Sequence, residues 1–162
     1  MRKIAVQDTC ILIDLTDLEI LKDVLKLPYE FVCTDLVLQE LRSDQQKIIQ
    51  DYHISIISFA ESELISLFEE LRKSPGLTAP DISCLLLTKK ERGILLTGDG
   101  ALRKKAKNLD VEAHGTLWLL DQLIEKKIWK HTEAHSKLTQ LMNLNRRLPS
   151  EECEARLKKW KK

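Results

Sequence analysis

The chain has 162 residues, the length of a single domain, and 43% of them are hydrophobic, which is enough to build a core. Four prolines and five glycines are too few for a collagen-like or largely disordered protein. The net charge of +1 gives no argument for binding a nucleic acid or a membrane. The halves differ, because residues 1–81 carry 8 basic and 15 acidic side chains and residues 82–162 carry 18 and 10. Either an acidic site beside a basic surface or two mutually attracting surfaces would explain this asymmetry.

The chain carries no sign of export or membrane insertion. Its start has no apolar stretch typical of a signal peptide, and its longest apolar runs are too short to cross a bilayer. The four cysteines form no CxxC pair, so neither a disulfide framework nor a zinc site is expected. Cys10, Cys33 and Cys84 lie in apolar runs and are expected to be buried. We predict a cytoplasmic protein without a membrane partner.

Short apolar runs alternate with stretches of helical periodicity along the chain. Strands are predicted at residues 3–7, 31–34, 54–59, 94–98 and 111–113. Helices are predicted at LEILKDVLKL, DLVLQELR, SELISLFEEL and DISCLLLTKKER, and at residues 99–108 and 115–127. This alternation predicts an α/β protein, a three-layer α/β/α sandwich with a central parallel sheet of about five strands.

Several residues are of the types that begin or end helices. Thr16 with Glu19, and Ser58 with Glu61, have the spacing of a capping box at a helix start. Thr34 can cap the helix that follows it. Pro80 suits the first turn of a helix, and Gly93 lies just past the end of one. Near the C-terminus, residues 131–144 are predicted to be helical, residues 143–149 to break the helix, and Ser150 to cap a short basic helix. We therefore expect a domain over residues 1–130 and a helical extension over residues 131–162, which either covers that domain or contacts a partner.

Four acidic side chains are predicted to meet at one edge of the sheet. Asp8 and Asp99 directly follow strands, and Asp81 lies in the first turn of a helix. Glu40 lies about 9 Å into its helix, within reach of the same edge. The carboxyl ends of parallel strands share one edge, where ligands bind. Each acid also has a purely structural interpretation, as a helix cap, a complement to a helix dipole or a surface residue.

Carboxylate oxygens without neighbouring Cys or His favour Mg²⁺ or Mn²⁺ over zinc. Ions held in this way suit the hydrolysis of phosphodiesters, because they activate water and stabilise the charge that develops on the reacting oxygens. The acids therefore predict a metal-dependent phosphodiesterase.

Three segments resemble the PIN-domain family: IAVQDTCILIDL, TDLVLQEL and LTAPDISCLLLTKKERGILLTGDGALRKKAKNLDVEAHGTLWLLDQL. The resemblance implies a metal-dependent endoribonuclease, which in prokaryotes is most often the VapC-type toxin of a toxin–antitoxin pair. It implies RNA as the substrate, an antitoxin protein as a partner, and a homodimer. Carried over by position, the catalytic and metal-binding residues are Asp8, Glu40, Asp81 and Asp99, and the supporting residues are Thr9 and Thr97. Gly98 stands where many members carry Asn.

The basic residues Arg103, Lys104 and Lys105 follow Asp99 closely and are candidates for holding RNA phosphates. A solvated helix face is the other interpretation of this run. For the whole chain, the alternative to an enzyme is a non-catalytic PIN-fold module that binds RNA or protein. DNA as the substrate also stays open, because nothing in the sequence identifies a group that contacts the 2′-hydroxyl.

Overall fold

The computed structural model describes residues 2–144 and 148–161. Its centre is a sheet of strands β1 (Lys3–Gln7), β2 (Tyr29–Thr34), β3 (Ser55–Ile57), β4 (Ile94–Leu96) and β5 (Glu112–His114). The strand order is β3-β2-β1-β4-β5, and every pairing is parallel. The predicted α/β class and five-stranded parallel sheet are confirmed. Since β1 and β4 are neighbours, the residues that follow them lie side by side.

Helices flank the sheet and connect its strands. In the described part of the chain they are α1 (Thr9–Asp17), α2 (Leu21–Val24), α3 (Asp35–Glu40), α4 (Ser43–Asp51), α5 (Glu61–Arg72), α6 (Ala79–Glu91), α7 (Gly100–Asn108), α8 (Thr116–Glu125), α9 (His131–Leu144) and α10 (Ser150–Trp160). Helix α6 packs on the three strands β1, β2 and β4. None of the helices in residues 2–144 and 148–161 is long and apolar enough to span a membrane.

The two central strands are buried as a parallel sheet requires. Ala5, Val6 and Leu95 are completely shielded from solvent, in agreement with strands covered by helices on both faces. The sheet also explains Gly93, which precedes β4. A Cβ atom at this position would lie 2.3 Å from the backbone oxygen of Ile4, so only glycine fits here without a shift of the backbone.

The predicted helix caps at Thr16 and Ser58 are wrong. Thr16 lies inside α1, where its hydroxyl donates to the backbone oxygen of Leu12 at 2.9 Å. The apolar run after Asp8 forms this helix, so Thr16 falls in its last turn rather than before a new helix. Ser58 is not a cap either: α5 begins at Glu61, and the N–H of Ala60 donates to the carboxylate of Glu63 at 2.9 Å.

The other predicted helix ends have mixed outcomes. Thr34 does cap α3, because its hydroxyl oxygen accepts from the N–H of Val37 at 3.2 Å. Pro80 lies in the first turn of α6, and Gly93 follows the left-handed end of that helix. Ser150 is not a cap, because it is the first residue of α10 and Pro149 occupies the capping position without a side-chain hydrogen bond. Of the predicted break, residues 143 and 144 are helical, and residues 145–147 lie outside the described residues.

The C-terminal helices contribute to the same apolar core as the sheet. Leu138, Leu141, Cys153 and Trp160 are buried members of that core. Cys33 and Cys84 are also buried, as expected, but Cys10 is exposed, because it lies on the outward side of α1. Helix α9 packs against α8 and α10. Helices α9 and α10 therefore pack on the rest of the chain through apolar contacts.

Candidate active site

Asp8, Asp81 and Asp99 each hold the start of a helix at the carboxyl edge of the sheet. One carboxylate oxygen of Asp8 accepts from the N–H of Ile11 at 2.9 Å. Asp99 accepts from the N–H of Ala101 at 2.8 Å. Asp81 accepts from the N–H of Thr78 at 3.0 Å, within a capping box. The capping interpretation of Asp8 and Asp99 is therefore correct, and Asp81, expected only to complement a helix dipole, takes part in a capping box. These bonds account for only one oxygen of each carboxylate.

The pKa of Asp8 reflects its burial and the charges of the other two acids. The residue is only 2% exposed, and its burial raises its pKa from 3.8 to about 7. The hydrogen bonds from Thr97 and from the N–H of Ile11 lower this pKa, whereas the negative charges of Asp81 and Asp99 raise it further. An ionised Asp8 is therefore unfavourable in the folded protein, and a cation among these acids would relieve the cost.

The two predicted supporting threonines both contact the acids. The Thr97 hydroxyl donates to the second oxygen of Asp8 and accepts from the N–H of Asp99 at 3.0 Å, so it connects the two acids. The Thr9 hydroxyl donates to Glu40 at 2.5 Å. Glu40 is exposed and is the last residue of α3. Its connection to the site is this bond, since Thr9 is the residue directly after Asp8.

The donor chemistry fits a hard divalent cation. Within the described residues, Asp81 and Asp99 each keep one carboxylate oxygen that accepts no hydrogen bond. No set of three or more His, Cys, Asp or Glu side chains in residues 2–144 and 148–161 is grouped closely enough to hold a metal ion. Mg²⁺ does not require such a cage, because it commonly binds one or two carboxylates and completes its shell with water and phosphate oxygens. The residues present therefore suit Mg²⁺ or Mn²⁺ with an open coordination shell.

The three predicted RNA-binding residues lie in different environments. Arg103 is exposed and lies next to Asp99 on the wall of a cleft. Lys104 is exposed as well. Lys105 forms an ion pair with Glu70 of α5 at 2.9 Å, and this pairing lowers the pKa of Glu70. Part of the charge of Lys105 is thus already neutralised, whereas Arg103 takes part in no ion pair with the described residues.

Sequence reasoning missed the cleft beside Asp99. The cleft has a volume of about 600 Å³, and α10 forms one of its walls. Asp14 of α1 also lines it, and the Thr116 hydroxyl donates to this carboxylate at 3.0 Å. The sequence does contain an indication of the position of Asp14. Ile11, Leu12 and Leu15 have helical spacing and are buried on one face of α1, so Asp14 lies on a different face of that helix.

The chain is similar to a family model and to solved structures. A family model described as a PIN domain matches residues 4–162. The solved structure of the protein PAE2754 from Pyrobaculum aerophilum is similar at 16% identity and a TM-score of 0.55, over 76% of this chain and 99% of that one. A PilT N-terminus domain protein from Sulfolobus solfataricus P2 is similar at 18% identity and a TM-score of 0.48, over 73% of this chain and 91% of that one. No curated protein matches the sequence.

Proposed function

The chain belongs to the PIN-domain family, whose members are generally nucleases, and on that premise we propose that it is a metal-dependent endoribonuclease. The observation that carries this proposal is the buried Asp8, whose pKa is raised to about 7 by burial and by the charges of Asp81 and Asp99. Helix capping alone does not require three carboxylates to be near one another. Their mutual repulsion raises the pKa of Asp8, and a divalent cation bound by one or two of these carboxylates would offset that cost.

The residues proposed to hold Mg²⁺ or Mn²⁺ are Asp8, Glu40, Asp81 and Asp99. Such an ion, when bound, supplies an activated water nucleophile and stabilises negative charge on the phosphate. The chain itself orients the acids. Thr97 and the N–H of Ile11 hold the two oxygens of Asp8. The N–H groups at the start of α6 and α7 hold one oxygen each of Asp81 and Asp99.

Arg103 is proposed to hold the RNA backbone next to this site, with Lys104 and Lys105 farther along α7. Arg103 lines the same cleft as Asp99, so a phosphate bound by its guanidinium lies beside the acids. Such contacts position the substrate and carry no sequence information.

We further propose that the protein is the toxin of a toxin–antitoxin pair. An exposed apolar face on α5 supports a protein partner, because Ile65 and Phe68 are each 57% exposed and lie one turn apart. An antitoxin or a second copy of the chain would cover this face. Light scattering coupled to size exclusion tests the homodimer, and the variant Phe68→Ser should shift it to monomer.

The enzymatic proposal is tested by cleavage of structured RNA with Mn²⁺ and with EDTA, for the original protein and the variant Asp99→Asn. Asparagine still caps α7 through its amide oxygen, so the fold is retained while the charge is lost. We expect cleavage only with metal, and a fall to the EDTA background in Asp99→Asn.

The matched control is Asp110→Asn, because Asp110 lies after α7 with a φ of 56°, a conformation that Asn also adopts. This control should cleave like the original protein. Binding of RNA without cleavage by any preparation would favour the non-catalytic module. Cleavage that continues in EDTA, or in Asp99→Asn, would refute the metal site.

A further inference from the structure

The cleft beside Asp99 has the size and position of a subsite for one nucleotide. Its volume of about 600 Å³ lies in the range of sites that bury small ligands. Gly98 and Gly100 flank Asp99 at the cleft, and a Cβ atom at either would meet nothing within 4 Å. The space next to the candidate catalytic acid is therefore open for part of a substrate.

The walls of the cleft are held in place without a ligand. Arg156 of α10 makes two hydrogen bonds to Asp121 of α8, at 2.9 and 2.7 Å, which fix α10 against the domain. The rings of His114 and Trp118 stack with centroids 4.1 Å apart and planes 9° apart. Both aromatic residues line the cleft. A preformed pocket with aromatic walls is typical of sites that receive an unpaired base of RNA.

Two charged side chains in the cleft, those of Arg103 and Glu152, form no ion pair within residues 2–144 and 148–161. The Arg103 guanidinium lies over Gly115, where a Cβ atom would be 3.3 Å from its Nη1 atom. Glu152, in the first turn of α10, lines the cleft, and its carboxylate forms no ion pair or hydrogen bond with the described part of the chain. The cleft thus offers a cation beside Asp99 and, from α10, the carboxylate of Glu152.

We propose that this cleft binds an unpaired guanosine of the RNA substrate, with the Glu152 carboxylate accepting from the N1–H and N2–H groups of guanine. This inference rests on the proposed function. Two adjacent donors match the two oxygens of a carboxylate. Adenine and cytosine present one amino group beside an acceptor nitrogen, and uracil presents one N–H between two carbonyl oxygens, so each of them repels part of the carboxylate. Arg103 pairs with the phosphate of the bound nucleotide.

The test measures binding of fluorescein-labelled RNA hexamers in EDTA by anisotropy, so that the readout does not depend on cleavage. The hexamers are oligoadenylate and three versions with a single G, C or U at the third position. We expect the G-containing hexamer to bind about tenfold more tightly than the others, in line with one bidentate contact to a base. In Glu152→Gln this preference should fall to within about twofold, because the amide presents one acceptor and one donor group.

Glu151→Gln is the matched control, because Glu151 lies in the same first turn of α10 but does not line the cleft. It should keep the preference for G, and circular dichroism should show all three proteins folded. Equal binding of the four hexamers by the original protein, or equal loss of preference in both variants, would refute the guanosine site.

The same proteins are assayed for Mn²⁺-dependent cleavage to separate this inference from the proposed function. Cleavage without a preference for G refutes the guanosine site alone. A preference for G without cleavage supports the site and refutes the enzyme.

Discussion

Replacing Asp8 by Asn should make the metal-free protein more stable at neutral and alkaline pH. The pKa of Asp8 is raised from 3.8 to about 7 in the folded protein, so the folded state holds a proton that the unfolded state releases. A raised carboxyl pKa lowers stability as the pH rises from about 4 to about 7, and the loss is complete above that window. At 1.36 kcal/mol for each pH unit, a shift of about three units corresponds to about 4 kcal/mol. Asn carries no such charge and can still accept from the N–H of Ile11.

The measurement is the free energy of unfolding in urea between pH 4 and pH 8 with EDTA, for the original protein and Asp8→Asn. The quantity to follow is the difference between the two proteins, which should shift in favour of the variant by up to about 4 kcal/mol across this range. The difference is needed because Asp23, Glu63 and Glu70 have lowered pKa values and change stability in the opposite direction. A difference that stays constant with pH would show that burial and the neighbouring acids do not act on Asp8 as described.

Three smaller predictions use other parts of the chain. Gly93→Ala should destabilise the protein by about 1–3 kcal/mol through overpacking against Ile4. Gly98→Ala should not, because a Cβ atom there meets nothing within 4 Å. Equal melting temperatures of the two variants would contradict this prediction. Trp129→Phe removes the hydrogen bond that is the main cause of the lowered pKa of Asp23. The resulting loss in the free energy of unfolding in urea should be present above about pH 4 and should shrink as the pH falls below about 4. Arg103→Ala should reduce the slope of log affinity for RNA against log salt concentration by up to about 0.7. Lys105→Ala should change this slope less, because Lys105 is already paired with Glu70. A larger change in Lys105→Ala than in Arg103→Ala would refute the role of Arg103.

The sheet was predictable because each strand is a short apolar run between polar boundaries. Buried parallel strands have this sequence pattern, so β1 and β4 could be predicted without knowledge of tertiary contacts. Helix α1 was not predicted, because the run CILIDL after Asp8 has apolar residues too dense to separate a helical period from a strand period. That omission also produced the wrong cap at Thr16, since the next helix was then expected to start there.

The acids were predictable for a topological reason, and the cleft was not. Asp8 and Asp99 follow strands that are neighbours in the sheet, and strand ends are visible in the sequence. The cleft depends on how α10 docks on α8 through Arg156 and Asp121, which are 35 residues apart. No local pattern specifies such a contact, so the finding that Glu152 and Asp99 line one cleft required the structure.

Because Asp8 is held partly protonated near neutral pH by burial and by its acidic neighbours, binding of a metal should release a proton. A divalent cation near Asp81 and Asp99 opposes the negative charges that raise the pKa of Asp8, and so favours the ionised carboxylate. Calorimetric titration with Mn²⁺ at pH 7, in two buffers of different ionisation enthalpy, measures this release directly. We expect a fraction of one proton per protein at pH 7, more at pH 6 and almost none at pH 8.5. In Asp8→Asn the release should vanish, whether or not the variant still binds the ion, because asparagine has no carboxyl proton to release. A release that persists unchanged in that variant would mean that the proton comes from another group.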